Sequence, residues 1–184
     1  ALWDAMARKE VYATTGTRLV VRVFGGFDFT AQDLERSDFA EQGYQRGVPM
    51  GGDLTSASAG KAPTFLVHAM RDADGANLDR IQIVKGWLDA SGKTQEKVYD
   101  VVWSGDRKPG ANGKLPPVGN TVNVKEASYT NAIGAPVLTA YWKDPGFDPK
   151  LRAFYYVRVL EIPTPRWTTY DARIFGVKLP TDVP

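Results

Sequence analysis

Apolar and polar positions alternate with a period of two along much of the chain, the signature of half-buried strands. From Arg18 to Phe24, Leu19, Val21 and Val23 stand against Arg18, Val20, Arg22 and Phe24. Gly25-Gly26 is expected to stop that strand. Further strands are predicted at Thr64–Arg71, Leu78–Leu88, Thr94–Trp103, Thr121–Val124, Pro136–Lys143 and Leu151–Glu161, with brief ones at Glu10–Ala13 and Arg173–Val177. The Phe154 to Leu160 string reads as buried strand. Thr14–Thr17, Asp72–Asn77 and Asp89–Lys93 read as turns, Ser104–Asn120 as a Gly/Pro-rich connection, and Pro163 and Pro165 as breakers.

Helical spacing is sparse. Leu2 and Met6 lie four apart within Ala1–Lys9, a short helix that is marginal alone and needs a surface to dock on. Thr30–Phe39 reads as a second, with Thr30 capping and Asp33 three residues on. From Gly43 to Gly60, glycines and the Ser56-Ala57-Ser58-Ala59 stretch predict a long loop. The expected fold is mainly β: an antiparallel β-sandwich with a short N-terminal helix and a long irregular loop.

Composition narrows the class. At 184 residues the chain suits one domain, or one with an appendage. Five Trp, eight Tyr and eight Phe supply a sizeable core. A net charge of +2 gives no strong field toward nucleic acid or anionic membrane, and no apolar run approaches a bilayer span. Zero cysteines fit either an oxidising or a reducing compartment.

Candidate chemistry is thin. A hydrolytic metal centre needs clustered nitrogen, sulfur or carboxylate ligands, and His68 is the one histidine. It sits mid-strand between apolar face-mates Leu66 and Met70, the setting of a core or edge histidine. Asp72-Ala73-Asp74-Gly75 invites a calcium-loop reading, but Gly75 falls at position 4 and Ile83 at position 12, so a hairpin turn explains it. Thr14-Thr15-Gly16-Thr17-Arg18 is the best binding candidate: Thr14, Thr15, Gly16 and Arg18 offer hydroxyls, backbone N–H groups and a guanidinium to an anion, although an ordinary turn with a surface ion pair also accounts for it. Arg158, on an aromatic strand, suits an ion pair or a ring stack. Trp87, Trp103, Trp142 and Trp167 offer a sugar-stacking platform or core packing; an exposed row of Trp142 and Trp167 would favour a carbohydrate- or protein-binding module. No Asp or Glu pair stands in a context that suggests glycosidase-type chemistry.

Three strings, Arg8 to Arg18, Leu78 to Trp87 and Ala153 to Trp167, together resemble the C-terminal part of a large bacterial family, domain of unknown function 3604. Tyr12-Ala13-Thr14-Thr15-Gly16 is also similar to a signature in relatives of the polymerase and histidinol phosphatase (PHP) metal-dependent phosphoesterases. The resemblance implies a metal-dependent phosphohydrolase whose divalent metal is held by an N-terminal PHP-like region that this chain lacks, so no cofactor is expected in the chain itself. It implies a fragment whose residues 1–26 are the tail of that missing domain, and whose residues 27–184 form a non-catalytic accessory sandwich. Its partner would be that N-terminal domain, with Thr14–Arg18 lining the approach to the metals, in a periplasmic or secreted protein. The start at Ala1-Leu2-Trp3-Asp4, without an initiator Met, fits a piece of a longer protein.

Overall fold

The computed structural model describes residues 1–55 and 60–178; the Ser56–Ala59 part of the predicted loop lies outside the described residues. Seven strands, β1 (Val20–Gly26), β2 (Val48–Pro49), β3 (Thr64–Met70), β4 (Leu78–Leu88), β5 (Thr94–Trp103), β6 (Val137–Lys143) and β7 (Ala153–Glu161), form two antiparallel sheets. Their orders are β2-β1-β3-β6 and β5-β4-β7. Three helices, α1 (Leu2–Ala7), α2 (Phe39–Arg46) and α3 (Trp167–Phe175), and a 3-10 turn (Ala31–Glu35) complete the described elements. Among the described residues no helix is long and apolar enough to cross a membrane.

The four-stranded sheet is covered on both faces. One face sets Val67, Ala69, Leu138 and Ala140 against Leu78 and Ile81 of the three-stranded sheet. The other sets Phe24 and Leu66 against Phe29, Leu34 and Phe39 of the helical segment. That double burial is why residues 65–67 and 69 of β3 form a nearly unbroken apolar run, as strands covered on both faces do. His68 lies on the helical side, level with Arg22 and Thr139 and 6.2 Å from the Phe39 ring.

Where local pattern and tertiary packing disagree, packing prevails. Gly25 and Gly26 are paired as the last two residues of β1 instead of lying beyond its end; Gly26 faces Thr64, and a Cβ there would stand 2.7 Å from the Phe29 ring. Residues 20–26 form an inner strand of the four-stranded sheet, between β2 and β3. The Thr30–Asp33 cap exists: the Asp33 carboxylate accepts the Thr30 N–H at 2.7 Å and Arg46 at 2.5 Å. It opens a 3-10 turn, and α2 follows as a separate helix in what reads as loop. Residues 10–13 join no ladder, and of Thr121–Val124 only the bridge Asn123–Ser128 pairs. The strand expected at Arg173–Val177 is instead the end of α3, closed by Gly176 at φ 63°.

Candidate functional site

The predicted binding residues sit on the turn that leads from α1 into β1. Gly16 adopts φ +102°, a backbone region that favours glycine. The Thr14 hydroxyl donates to the Thr17 carbonyl at 2.5 Å, and Thr15 is exposed. Arg18 is claimed by the β3–β4 turn: its N–H donates to the Asp72 carboxylate at 2.8 Å, and its guanidinium lies 3.5 Å from Asp72 and 3.7 Å from Asp74. The side chain is still 81% exposed, so an anion can reach it only by sharing it with these carboxylates.

The turn meets the end of β7 at Glu161. The Arg18 and Asp74 N–H groups and the Arg18 guanidinium hold the Asp72 carboxyl below the usual carboxylate range. Burial pushes the Glu161 carboxyl the other way, with the Asp72 charge adding and the Thr17 hydroxyl opposing. One Glu161 oxygen is buried with no hydrogen-bond partner. Burial likewise raises the Tyr129 phenol, with the Tyr170 and Glu161 charges acting in the same direction. The corner therefore pairs an acceptor that stays charged, Asp72, with a carboxyl that holds its proton more tightly, Glu161.

A pH prediction follows from Glu161. Its folded-state pKa is raised above the unfolded one, so the stability it contributes is full below the unfolded value and is lost as pH rises through the folded value. Glu161→Gln is expected to melt above the wild type at pH 7.5 and level with it at pH 4, read by thermal melts in both buffers. A variant that melts lower at pH 7.5 would mean that the charged carboxylate is the stabilising form.

Two further polar sites escape sequence reading. A groove of about 260 Å³ separates the α1 segment from β1 and α2, lined among others by Arg8, Glu10, Tyr12, Arg22 and Tyr44. The Tyr44 hydroxyl and Arg8 both donate to Glu10, and hold its carboxyl below the usual range against burial. At one end of the sandwich, Lys85 Nζ donates to Asp144 Oδ2 at 2.6 Å and to the Gly146 carbonyl at 2.8 Å. The Tyr155 hydroxyl donates to the same Asp144 oxygen at 2.6 Å and the Gly146 N–H to the other at 2.9 Å. Burial, then Asp144, pushes the Tyr155 hydroxyl well above the ordinary phenol range.

The tryptophans do not form a row. Trp142 packs between the sheets against Phe65, Tyr99 and Tyr155, with centroids 5.8, 4.9 and 6.3 Å away. The Trp103 indole donates to the Arg107 carbonyl at 2.7 Å, Lys85 lies 5.2 Å over the Trp87 ring, and Trp167 is exposed on α3. The open aromatic pair is on β7, where the expectation of a wholly buried strand fails: Phe154 and Tyr156 point out of the three-stranded sheet. Their i, i+2 spacing with Arg158 was the available signal.

Among the described residues no group of three or more His, Asp or Glu side chains converges as metal ligands would. No curated protein and no solved structure matches the chain. One family model, described as a protein of unknown function (DUF3604), matches residues 1–184. The match runs the length of the chain, which therefore belongs to that family.

Proposed function

We propose that this chain is a non-catalytic accessory module of a metal-dependent phosphohydrolase, docked on a PHP-like catalytic domain through its terminal helices. The exposed apolar surface of those helices carries the reading. In α1, Leu2, Trp3 and Met6 are exposed and no residue is buried. In α3, Trp167, Ile174 and Phe175 are exposed. A six-residue helix does not hold itself together in water, and large apolar side chains gathered on exposed helices mark an interaction surface. The Thr14–Arg18 turn lies on the segment between α1 and β1 and would share that interface, its guanidinium suited to a phosphate oxygen. The reading places the divalent ion in the catalytic domain and assigns no chemical step to this chain.

The test assays the chain, and a longer protein that carries the preceding region, on p-nitrophenyl phosphate with manganese, zinc or magnesium. The expected result is turnover by the longer protein alone, abolished by EDTA and weakened through KM by Arg18→Ala. Turnover by the chain itself, or metal-independent turnover by the longer protein, overturns the proposal.

A further inference from the structure

The outer face of the three-stranded sheet is laid out in cross-strand rows. Pairing places Glu96, Gly86 and Phe154 in one row, Val98, Val84 and Tyr156 in the next, and Asp100, Gln82 and Arg158 in the third. Partners in an antiparallel ladder share a face, so the nine positions lie on one face, where Val84 and Gly86 are covered and the rings of Phe154 and Tyr156 stay open. Phe154 is 62% exposed and Tyr156 44% exposed, although both are large rings. Their planes are within 12° of parallel, with centroids 6.4 Å apart. Gly86 makes the arrangement possible: a Cβ there would stand 2.4 Å from the tip of the Phe154 ring.

Beside the rings runs a hydrogen-bonded polar chain. Arg158 donates to the Gln82 carbonyl oxygen at 2.7 Å, the Gln82 amide donates to Asp100 at 2.7 Å, and Arg80 reaches Asp100 at 3.5 Å. These bonds hold planar groups in place and leave further donors on Arg158 and lone pairs on Asp100. The charges balance, Arg80 and Arg158 against Glu96 and Asp100, so the face selects for no net charge. The three rows span about 15 by 20 Å, well short of the roughly 800 Å² that each partner gives up in a stable protein interface.

We propose that this face binds a neutral polysaccharide, one sugar ring stacking its C–H face on Phe154 and Tyr156 while its hydroxyls bond to Arg158 and Asp100. A pyranose has an apolar face and a rim of vicinal hydroxyls. The face supplies both complements side by side: aromatic surface, and fixed groups that both donate and accept. The site lies apart from the terminal helices and stands whether or not the phosphohydrolase reading holds.

Native electrophoresis of the chain in gels containing hydroxyethylcellulose, xylan or soluble starch tests it. Retardation by at least one of the three is expected, unchanged in 0.5 M salt. Phe154→Ala and Tyr156→Ala should each weaken it about tenfold, the effect of losing one good ring contact. Their melting temperatures should stay close to that of the wild type, since both rings are exposed. Gly86→Ala is a second probe, because it displaces the Phe154 ring without removing it. Mobility unaffected by all three polysaccharides overturns the proposal, as does retardation that survives the double Phe154→Ala, Tyr156→Ala variant. So does binding confined to polygalacturonate and lost in salt, which would be simple charge attraction. Self-association that the double variant abolishes in sedimentation would assign the face to a second copy of the chain instead.

Discussion

Asp144→Ala is expected to destabilise the fold by about 3–5 kcal/mol, the cost of leaving a buried charge without its partner. Lys85 is only 4% exposed and occupies an inward position on β4, level with Tyr155 on β7, where its neighbours along the strand, Ile81 and Ile83, are fully buried. Asp144 is the one carboxylate in contact with it among the described residues, and also takes the Tyr155 hydroxyl and the Gly146 N–H. Alanine therefore strands an ammonium, a phenol and an amide together. Asp144→Asn combined with Lys85→Met should recover much of the loss, because the asparagine carbonyl still accepts from the Gly146 N–H, its NH2 can donate to the Tyr155 oxygen, and the charge is gone. Urea unfolding of the wild type and the two variants gives the comparison. A loss under about 1 kcal/mol for Asp144→Ala would show that Lys85 finds water when its partner is removed.

The second large effect lies on the opposite face of the four-stranded sheet. Phe24 is fully buried, edge-on to Phe39 at 5.5 Å and to Tyr44 at 5.0 Å. Phe24→Ala should cost about 3–5 kcal/mol through lost transfer energy and the cavity left behind. At roughly 2–4 °C per kcal/mol for a chain of this size, melting should fall by about 6–20 °C. Gly43 of α2 fits around the same ring, since a Cβ there would stand 2.4 Å from it. Gly43→Ala in the Phe24→Ala background should therefore recover stability, whereas alone it should lose it. Equal losses in both backgrounds would mean that Gly43 matters for a reason other than this ring.

The strands were legible where one rule governed them. β4 and β5 stand at the residues that the pattern gives, because local turns, Asp72–Asn77 and Asp89–Lys93, bound them on known chemistry. The helices were not. α2 carries Gly43, a poor helix former retained because Phe24 needs the space, and α3 carries the weak helix formers Thr168 and Thr169 and runs into Arg173–Phe175, which read as strand. The Thr14–Arg18 turn was legible through Gly16, but its partners were not. Asp72 is 54 residues from Arg18, and Asp144 is 59 from Lys85. Such pairs are set by which distant strands meet, and no local period encodes that.

The pairing of β3 with β6 and of β4 with β7 has a consequence for biogenesis. His68 waits for Thr139, and Ile83 for Val157. A nascent chain released only as far as β5 has the hairpin β4–β5 but no β6 or β7, so Ile81, Ile83 and Val67 stay wet until the last third of the protein has been synthesised. Closing loops of that length before any contact rewards them makes folding slow. During that interval the half-built sheets are the species that chaperones must hold.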